Sequence, residues 1–465
     1  MKKILALIMA VIMAASLVAC GDETGTEAEN AETGNGGEQV DEELTYTSDG
    51  RIKLSWWTNY GTVIYETLME LCNRYNESQD KYYIQCERQG GAIELKAKLQ
   101  ASSRSNLPDV FNGTPATTLY YVNSSFTKPI QDYIDEDADN WTADLYGGIR
   151  TSYSDADGRM WGYPFGVSTT GIWVNADLLE RAGYTANDLN GFENIVKVAK
   201  ALVDDGYVQY GLGFYKNGQL LTDVLSVQGV QVVDNDNGYS GEPEKCLYID
   251  DPDTYAATYK YLDLFASLYR DKPYAMSYGS DVNGEIVPQF VAEKCAMFIA
   301  TNSYVGKLET MNIDFNYIFI PTTGVDENAK FSGALSEGTG MYMADTGSPT
   351  RMQGAYDFIK FLAQDENQAL YCMATGYIPY TPSCADRDDF KAWVAETFPS
   401  STLISDRILN AEEDLKQPYL SCAVDLVNAN VSLMVDIFSD PNGDIKAKIQ
   451  TATDSVNEAI EIFNL

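Results

Sequence analysis

The chain has 465 residues, enough for two or three ordinary domains, and 45% of them are hydrophobic, so it can build a substantial core. Its 68 acidic residues outnumber 32 basic ones, and the net charge of −36 repels phosphate backbones, so no nucleic-acid partner is expected. The lack of histidine excludes Ser-His-Asp and Cys-His catalysis in their usual form, and histidine-ligated metal sites. The composition does not exclude hydrolases that use two carboxyl groups, because their catalysis needs only Asp and Glu.

The first 20 residues have the pattern of a lipoprotein export signal. Lys2 and Lys3 precede an apolar run over residues 4–19, which is shorter than a membrane span needs. Cys20 follows directly, and this spacing resembles the lipidation site of bacterial lipoproteins. We expect residues 1–19 to be a signal peptide and Cys20 to be lipidated, on the outer face of a bacterial cytoplasmic membrane. The alternative is an ordinary cleavable signal followed by a chance cysteine.

Residues 20–50 have the composition of a disordered tether. Residues 21–50 include ten Asp or Glu and no Lys or Arg, so the segment cannot bury enough surface to fold. A calcium-binding acidic tail is the alternative. Because no later stretch has 18 consecutive apolar residues, we expect contact with the membrane through the lipid anchor only.

From residue 51 onwards, the hydrophobic pattern alternates between strand and helix periods. Residues 52–57 and 82–86 predict strands, each followed by a predicted helix, at 63–75 and 93–101. Further strands are predicted at 107–111, 171–175 and 294–299, a hairpin turn at 157–158, and helices at 176–182, 192–205, 222–229, 253–270, 350–364, 365–374, 389–397 and 444–463. This alternation predicts an α/β fold with a largely parallel sheet.

Cysteines and acidic clusters give little sign of a metal site. Seven cysteines follow Cys20 without a CxxC motif, and we expect most of them to be buried small apolar residues. Two Asp-rich stretches, 135–139 and 234–238, have oxygen-ligand spacing, but neither completes a calcium loop with its distal Glu. We expect solvated acidic loops there, and neither a metal nor a cofactor.

Six local patterns carry a resemblance to a known family. They lie at 56–59 (WWTN), 107–110 (LPDV), 158–175 (GRMWGYPF running into TGIWVN), 290–299, 355–362 (AYDFIKFL) and 375–379 (TGYIP). Together, in this order and after a lipidation site, they resemble the large extracellular solute-binding proteins of ABC importers. That class includes the maltose-, raffinose- and glycerol-3-phosphate-binding proteins.

The resemblance implies a two-lobed, periplasmic-binding-protein-like α/β fold that holds ligand in a cleft and closes by hinge motion. It places the hinge crossings between the lobes near 166–171, 329–334 and 380–386. The N-terminal lobe would then comprise 51–168 plus 332–382, and the C-terminal lobe 169–331 plus 383–465.

The same resemblance selects candidate ligand-binding residues. Sugars are held by aromatic faces and by polar side chains that bind hydroxyl groups. The candidates are Trp57, Asn59, Tyr60, Glu94, Ser168, Thr169, Tyr215, Asn302, Tyr304, Gly338 and Tyr377. The alternatives are core packing for Trp57 and Tyr377, a helix-dipole charge for Glu94, and turn hydrogen bonds for Ser168 and Thr169.

The implied function is capture of a solute without covalent chemistry. Residues 419–424 have no basic side chain where glycerol-3-phosphate-binding relatives place an arginine, so we expect a neutral sugar or oligosaccharide. A glycerophosphodiester, a peptide or a uronate is the alternative ligand, and an exported carboxylate-pair glycoside hydrolase is the alternative class. The implied partners of this expected monomer are a two-subunit permease and its cytoplasmic ATPase.

Overall fold

The computed structural model describes residues 44–279, 282–326, 333–409, 411 and 415–464. The predicted signal, Cys20 and the tether up to residue 43 lie outside these residues. Residues 45–50, which the sequence assigns to the tether, form a turn against the first strand, where Lys53 N–H donates to the Thr45 carbonyl at 2.8 Å. Within the described part of the chain, no helix combines the length and apolar character that crossing a membrane needs.

Ten strands form two sheets. The strands are β1 Ile52–Thr58, β2 Tyr82–Arg88, β3 Val110–Gly113, β4 Thr127–Lys128, β5 Gly162–Ser168, β6 Thr170–Asn175, β7 Tyr210–Gly213, β8 Cys295–Thr301, β9 Tyr317–Pro321 and β10 Glu337–Ala344. The first sheet has the order β2-β1-β3-β10-β4, with β5 also paired to β10. The second sheet has the order β7-β8-β6-β9.

Both sheets are mixed, so the expectation of a largely parallel sheet is wrong. Strand β1 runs parallel to β2 and β3, and β7 runs parallel to β8. Strand β10, however, is antiparallel to β3, β4 and β5, and β6 is antiparallel to β8 and β9. The reason is topological: β6 enters the second sheet directly from β5, and β10 returns to the first sheet after β9.

Helices cover both sheets. They are α1 Thr62–Ser78, α2 Ala92–Ala101, α3 Thr118–Val122, α4 Gln131–Glu136, α5 Gly147–Ser152, α6 Ala176–Arg181, α7 Phe192–Asp204, α8 Gln219–Val227, α9 Pro252–Ser267, α10 Val287–Val291, α11 Val305–Leu308, α12 Pro349–Leu362, α13 Asp365–Thr375, α14 Pro382–Ala385, α15 Asp388–Glu396, α16 Ser400–Leu409, α17 Ala423–Ser439 and α18 Ile445–Phe463. Side-chain caps fix several N-termini. The Asn175 carboxamide, for example, accepts the Leu178 N–H at 2.8 Å at the start of α6.

Two clusters of buried hydrophobic side chains hold the layers together. One surrounds the first sheet and extends to one face of the second sheet through Trp173, Phe298 and Phe319. The other joins the opposite face of the second sheet to helices including α7, α9, α17 and α18. The chain passes from the first sheet to the second at Thr169, between β5 and β6. The predicted bounds of the two lobes stay a prediction.

Candidate functional site

The structure contains a cavity of about 500 Å³. Segments connected to both sheets line it. Its lining comprises Pro115, Ala116, Tyr146–Ile149, Thr151, Ser152, Tyr239, Ala334–Ser336, Ile408, Ala411 and Leu415–Tyr419. Residues 115–116 follow β3 and residues 334–336 lead into β10, both strands of the first sheet, whereas Tyr239 lies between β7 and β8 of the second sheet along the chain. The volume is within the range of small-molecule binding pockets.

Two tyrosines form an aromatic wall of this cavity. The rings of Tyr239 and Tyr419 stack with centroids 5.1 Å apart and planes 25° apart. Gly238 makes this stack possible, because its φ is +91° and a Cβ there would lie 1.8 Å from the Tyr419 carbonyl oxygen. The stack is also joined to the β5 side of the molecule, since Tyr419 OH donates to the Ser154 carbonyl at 3.4 Å. An aromatic face of this kind suits the C–H surface of a sugar ring.

A lysine also lines the cavity, although the sequence stretch at 419–424 suggested that no cation is available. Lys416 Nζ lies 5.5 Å from the centroid of the Tyr239 ring and forms an ion pair with Asp236. Because Asp236 already neutralises the charge of Lys416, Lys416 attracts an anionic ligand less strongly than an unpaired lysine would.

A second polar region, beside the junction of the sheets, brings several predicted residues together. The hydroxyl groups of Tyr60 and Tyr377 interact with each other, and Thr339 also interacts with Tyr60. Burial raises the pKa of Tyr377 to about 12, and Tyr377 also interacts with Ser303. The Tyr377 ring stacks on Tyr371 with centroids 5.4 Å apart. Core packing and ligand contact are therefore both compatible with Tyr377.

Two carboxyl groups, of Asp223 on α8 and Glu337 at the start of β10, face each other in this region. Asp223 is only 1% exposed, and neither of its carboxyl oxygens has a hydrogen bond of ordinary geometry among the described residues. Glu337 Oε2 accepts from Thr170 Oγ1 at 3.0 Å, whereas its Oε1 is unpartnered there. Burial, and then the charge of Glu337, raise the pKa of Asp223 well above its usual range. Burial likewise raises the pKa of Glu337.

Two further predicted residues lie next to this pair. Glu337 acts electrostatically on the hydroxyl of Tyr215, and Tyr304 acts on the same hydroxyl. Burial, followed by these charges, raises the pKa of Tyr215. The Tyr215 hydroxyl also accepts a hydrogen bond from Asn217 Nδ2 at 2.7 Å. Glu337 thus acts on Tyr215 and Tyr377, and Tyr304 and Tyr60 each interact with one of these two tyrosines.

Four other predicted residues form the junction between the sheets. Asn302 Oδ1 accepts the Thr169 N–H at 2.7 Å, and its Nδ2 donates to the Gly376 carbonyl at 2.7 Å. Ser168 pairs with Glu337 across the β5–β10 ladder. Gly338 has φ +115°, and a Cβ there would lie 2.2 Å from the Gly166 carbonyl oxygen, so close strand packing requires this glycine. These residues hold the frame on which the polar region is built.

The remaining three predicted residues are Trp57 in β1, Asn59 just after β1, and Glu94 in α2. Among the described residues, we find no side-chain contact between these three and Tyr215 or Tyr377. Trp57 Nε1 donates to Glu87 Oε2 at 3.1 Å. Glu94 is exposed and accepts a hydrogen bond from the Gly91 N–H at 3.0 Å. It thus lies in the first turn of α2, where a negative charge interacts favourably with the helix dipole. Asn59 is half-buried. Ligand contact by these residues stays a prediction.

Sequence reasoning missed Tyr146, Tyr239, Tyr419, Asp223 and Glu337. One signal was available, because Asp223 is the only charged residue of α8, and a charged residue on a buried helix usually has a function or a partner. The aromatic wall had no such signal, since residues 180 positions apart meet there only in the folded chain.

The acidic clusters are engaged with basic side chains. Asp137 and Asp139 both bind Lys360 Nζ, at 2.7 and 2.9 Å. Asp236 pairs with Lys416, as described above. In the described ranges, no three His, Cys, Asp or Glu side chains are grouped in a way that could hold a metal ion. The seven cysteines after Cys20 are buried, as expected.

The model of the bacterial extracellular solute-binding protein family matches residues 70–399. The chain belongs to this family. A curated member, the sn-glycerol-3-phosphate-binding periplasmic protein UgpB of Agrobacterium fabrum, is 23% identical over 348 residues, which are 73% of this chain and 76% of that protein.

Solved structures show the same fold. The sugar-binding protein MalE from Xanthomonas citri matches with a TM-score of 0.71 and 16% identity, over 89% of this chain and 98% of that chain. UgpB from Mycobacterium tuberculosis in complex with glycerophosphocholine matches with a TM-score of 0.71 and 16% identity, over 89% and 99%. This solute-binding protein therefore has the two-lobed α/β fold that the resemblance implied.

Proposed function

We propose that this protein captures a neutral sugar or oligosaccharide between its lobes and delivers it to the permease of an ABC importer. The observation that carries the proposal is the 500 Å³ cavity, because residues connected to both sheets line it and a tyrosine stack forms one wall. Membership of the solute-binding family supports capture as the role, and the MalE-like fold supports a sugar as the ligand class. The proposed partners are a two-subunit permease and its ATPase.

The proposed location is the outer face of the cytoplasmic membrane, with Cys20 as the lipid anchor and the monomer as the working form. The family supports an extracytoplasmic site. The apolar run before Cys20 supports the anchor. Globomycin, which blocks lipoprotein signal cleavage, should cause an unprocessed precursor to accumulate. A Cys20→Ser chain should also carry no lipid, so it should incorporate no labelled fatty acid, whereas the wild type should.

The proposed role includes no catalysis. The carboxyl groups of glycosidases stand about 5–10 Å apart so that a glycosidic bond or a water fits between them. Asp223 and Glu337 instead interact directly with each other, so they do not have the spacing of a glycosidase pair. Incubation with maltotriose or raffinose should therefore return intact sugar, as chromatography of the mixture can show.

A glycerophosphodiester is a second candidate ligand, favoured by Lys416 on the cavity wall and by the likeness to glycerol-3-phosphate-binding proteins. The net charge of −36 and the Lys416–Asp236 ion pair favour the neutral sugar. The matched test is Lys416→Met, which should leave sugar binding within about twofold and abolish binding of an anion that depends on the lysine.

A thermal-shift panel tests the proposal. The probes are maltose, maltotriose, raffinose and ribitol, then sn-glycerol 3-phosphate, glycerophosphocholine, glucuronate and a dipeptide. A ligand at about 100 times its Kd adds roughly 2.7 kcal/mol to the folded state, which raises the Tm measurably. A rise with a neutral sugar alone supports the proposal. A rise only with the glycerol phosphates contradicts it and selects the second candidate.

A further inference from the structure

The polar atoms around Asp223 are arranged for a partner that the chain itself does not supply. Neither oxygen of this 1% exposed carboxyl has a hydrogen bond of ordinary geometry among the described residues, nor has Glu337 Oε1, although Thr170 and Gln219 also interact with Asp223. Ser226, one helical turn after Asp223 on α8, has an unpartnered hydroxyl as well. Buried polar groups nearly always have a hydrogen-bond partner, so this cluster of open acceptors points to a ligand.

The pair lies where a ligand in the cleft can reach it. Glu337 is half-buried rather than enclosed, and Ser336 immediately before it lines the 500 Å³ cavity. Thr170, which opens β6, donates to Glu337, so both sides of the sheet junction hold the carboxyl in place. Asp223 on α8 interacts with Glu337, so the pair adjoins the lining of the cavity through Ser336.

Within the described ranges, no basic side chain neutralises the pair, because no Lys or Arg is among the groups that act on either carboxyl. The titratable groups that the pair acts on are the hydroxyls of Tyr215, Tyr261 and Tyr377, which are neutral between about pH 5 and 8.5. Two unscreened negative charges in contact are costly, so the pair retains one proton. Burial, which raises the pKa of both carboxyls, acts in the same direction.

We propose that Asp223 and Glu337 form a subsite that holds adjacent hydroxyl groups of a neutral sugar or polyol, with one carboxyl donating and the other accepting. The inference rests on the proposed function and specifies its ligand chemistry. A hydroxyl group both donates and accepts, so it matches a carboxyl pair that shares one proton. A phosphate only accepts and is repelled by the remaining charge. An ammonium group only donates and would displace the proton.

The test compares Asp223→Leu and Glu337→Met with the wild type by calorimetric titration of the full-length protein with maltotriose and with ribitol. Both replacements are close to the carboxyl side chain in size but lack its hydrogen-bonding oxygens, and the melting temperature of each variant checks its fold. Asp205→Leu, at an exposed residue after α7, is the matched control. We expect each subsite variant to lose about tenfold or more in affinity and the control to stay within about twofold. Wild-type affinity should also fall as the pH rises through the raised pKa of the pair, because the shared proton is then lost.

The outcomes separate the subsite from the function. Binding of either neutral probe that survives in both variants overturns the subsite, while the proposed function stands. If glucosamine binds more tightly than glucose, and this preference is lost in Asp223→Leu, the ligand is cationic and the neutral chemistry is wrong. If glycerol 3-phosphate binds and no neutral probe does, both the subsite and the proposed function are wrong. If neither maltotriose nor ribitol binds to the wild type or to any variant, that result also contradicts both the subsite and the proposed function.

Discussion

Asn302 receives a 2.7 Å hydrogen bond from the backbone N–H of Thr169, at the point where the chain leaves the first sheet for the second. The other end of the same side chain donates to the Gly376 carbonyl. Asn302 thus ties three segments that are distant in sequence, and the side chain is fully buried. The sequence proposed this residue as a ligand contact, and the structure gives it a framework role at the same place.

Asn302→Ala should lower the free energy of unfolding by about 1–3 kcal/mol, because two buried backbone groups lose their partner. Asn316→Ala is the control, since Asn316 is exposed and binds Asp177 at the surface. Denaturant unfolding measures both. Equal small losses in the two variants would show that the junction does not depend on Asn302.

Gly338→Ala should destabilise the pairing of β10 with β5, because the new Cβ would lie 2.2 Å from the Gly166 carbonyl oxygen. Gly50→Ala separates this clash from backbone strain alone. Gly50 also has a positive φ, of +90°, but a Cβ added there would have no atom within 4 Å. The loss of melting temperature should be clearly larger for Gly338→Ala, and a similar loss in both would assign the effect to φ strain only.

Tyr239→Ala should weaken sugar binding about tenfold, because the stacked wall of the cavity loses a ring. Tyr239→Phe keeps the ring and should bind nearly as well as the wild type. Tyr207→Ala removes a tyrosine that is 44% exposed and does not line the cavity, so it should have no effect. Calorimetric titration with maltotriose measures all three, and unchanged affinity in Tyr239→Ala would exclude the stack from the binding surface.

Asp137 should contribute stability that is lost in acid. Hydrogen bonds from Lys360, and next from Tyr356, lower the pKa of Asp137 to about 2. A carboxyl with a lowered pKa in the folded state stabilises the protein above its unfolded pKa of about 4, and this contribution disappears as the pH falls towards about 2. The Tm of the wild type should therefore be higher than the Tm of Asp137→Asn at about pH 6. This difference in Tm should vanish near about pH 2. A difference that persists in acid would mean that the Asp137 charge is not its source.

Much of the fold could be predicted because local patterns agree with it. The predicted strand at 52–57 alternates as β1 does, with Leu54 and Trp56 buried. The predicted helix at 176–182 ends before Gly183, which has the positive φ that ends a helix. The hairpin at 157–158 is confirmed by the pairing of Ser154 with Met160.

The elements that were missed lack a local signal. Strand β10 contains Gly338 and Gly340 and reads as a loop, and its neighbours on both sides come from elsewhere in the chain. Helix α17 is an exception, because its buried residues Leu426, Leu433 and Ile437 recur at helical spacing and it was still not predicted. The site is harder still, because the Asp223–Glu337 pair and the Tyr239–Tyr419 stack exist only through tertiary contacts.

The most direct test of the account is a crystal structure of the protein with the neutral probe that raises its Tm most. We predict an intact sugar in the interlobe cavity, with one ring against Tyr239 and Tyr419 and with hydroxyl groups hydrogen-bonded to Asp223 and Glu337. A sugar bound elsewhere on the surface, a cleaved sugar, or a cavity that accepts only a phosphorylated glycerol beside Lys416 would contradict it.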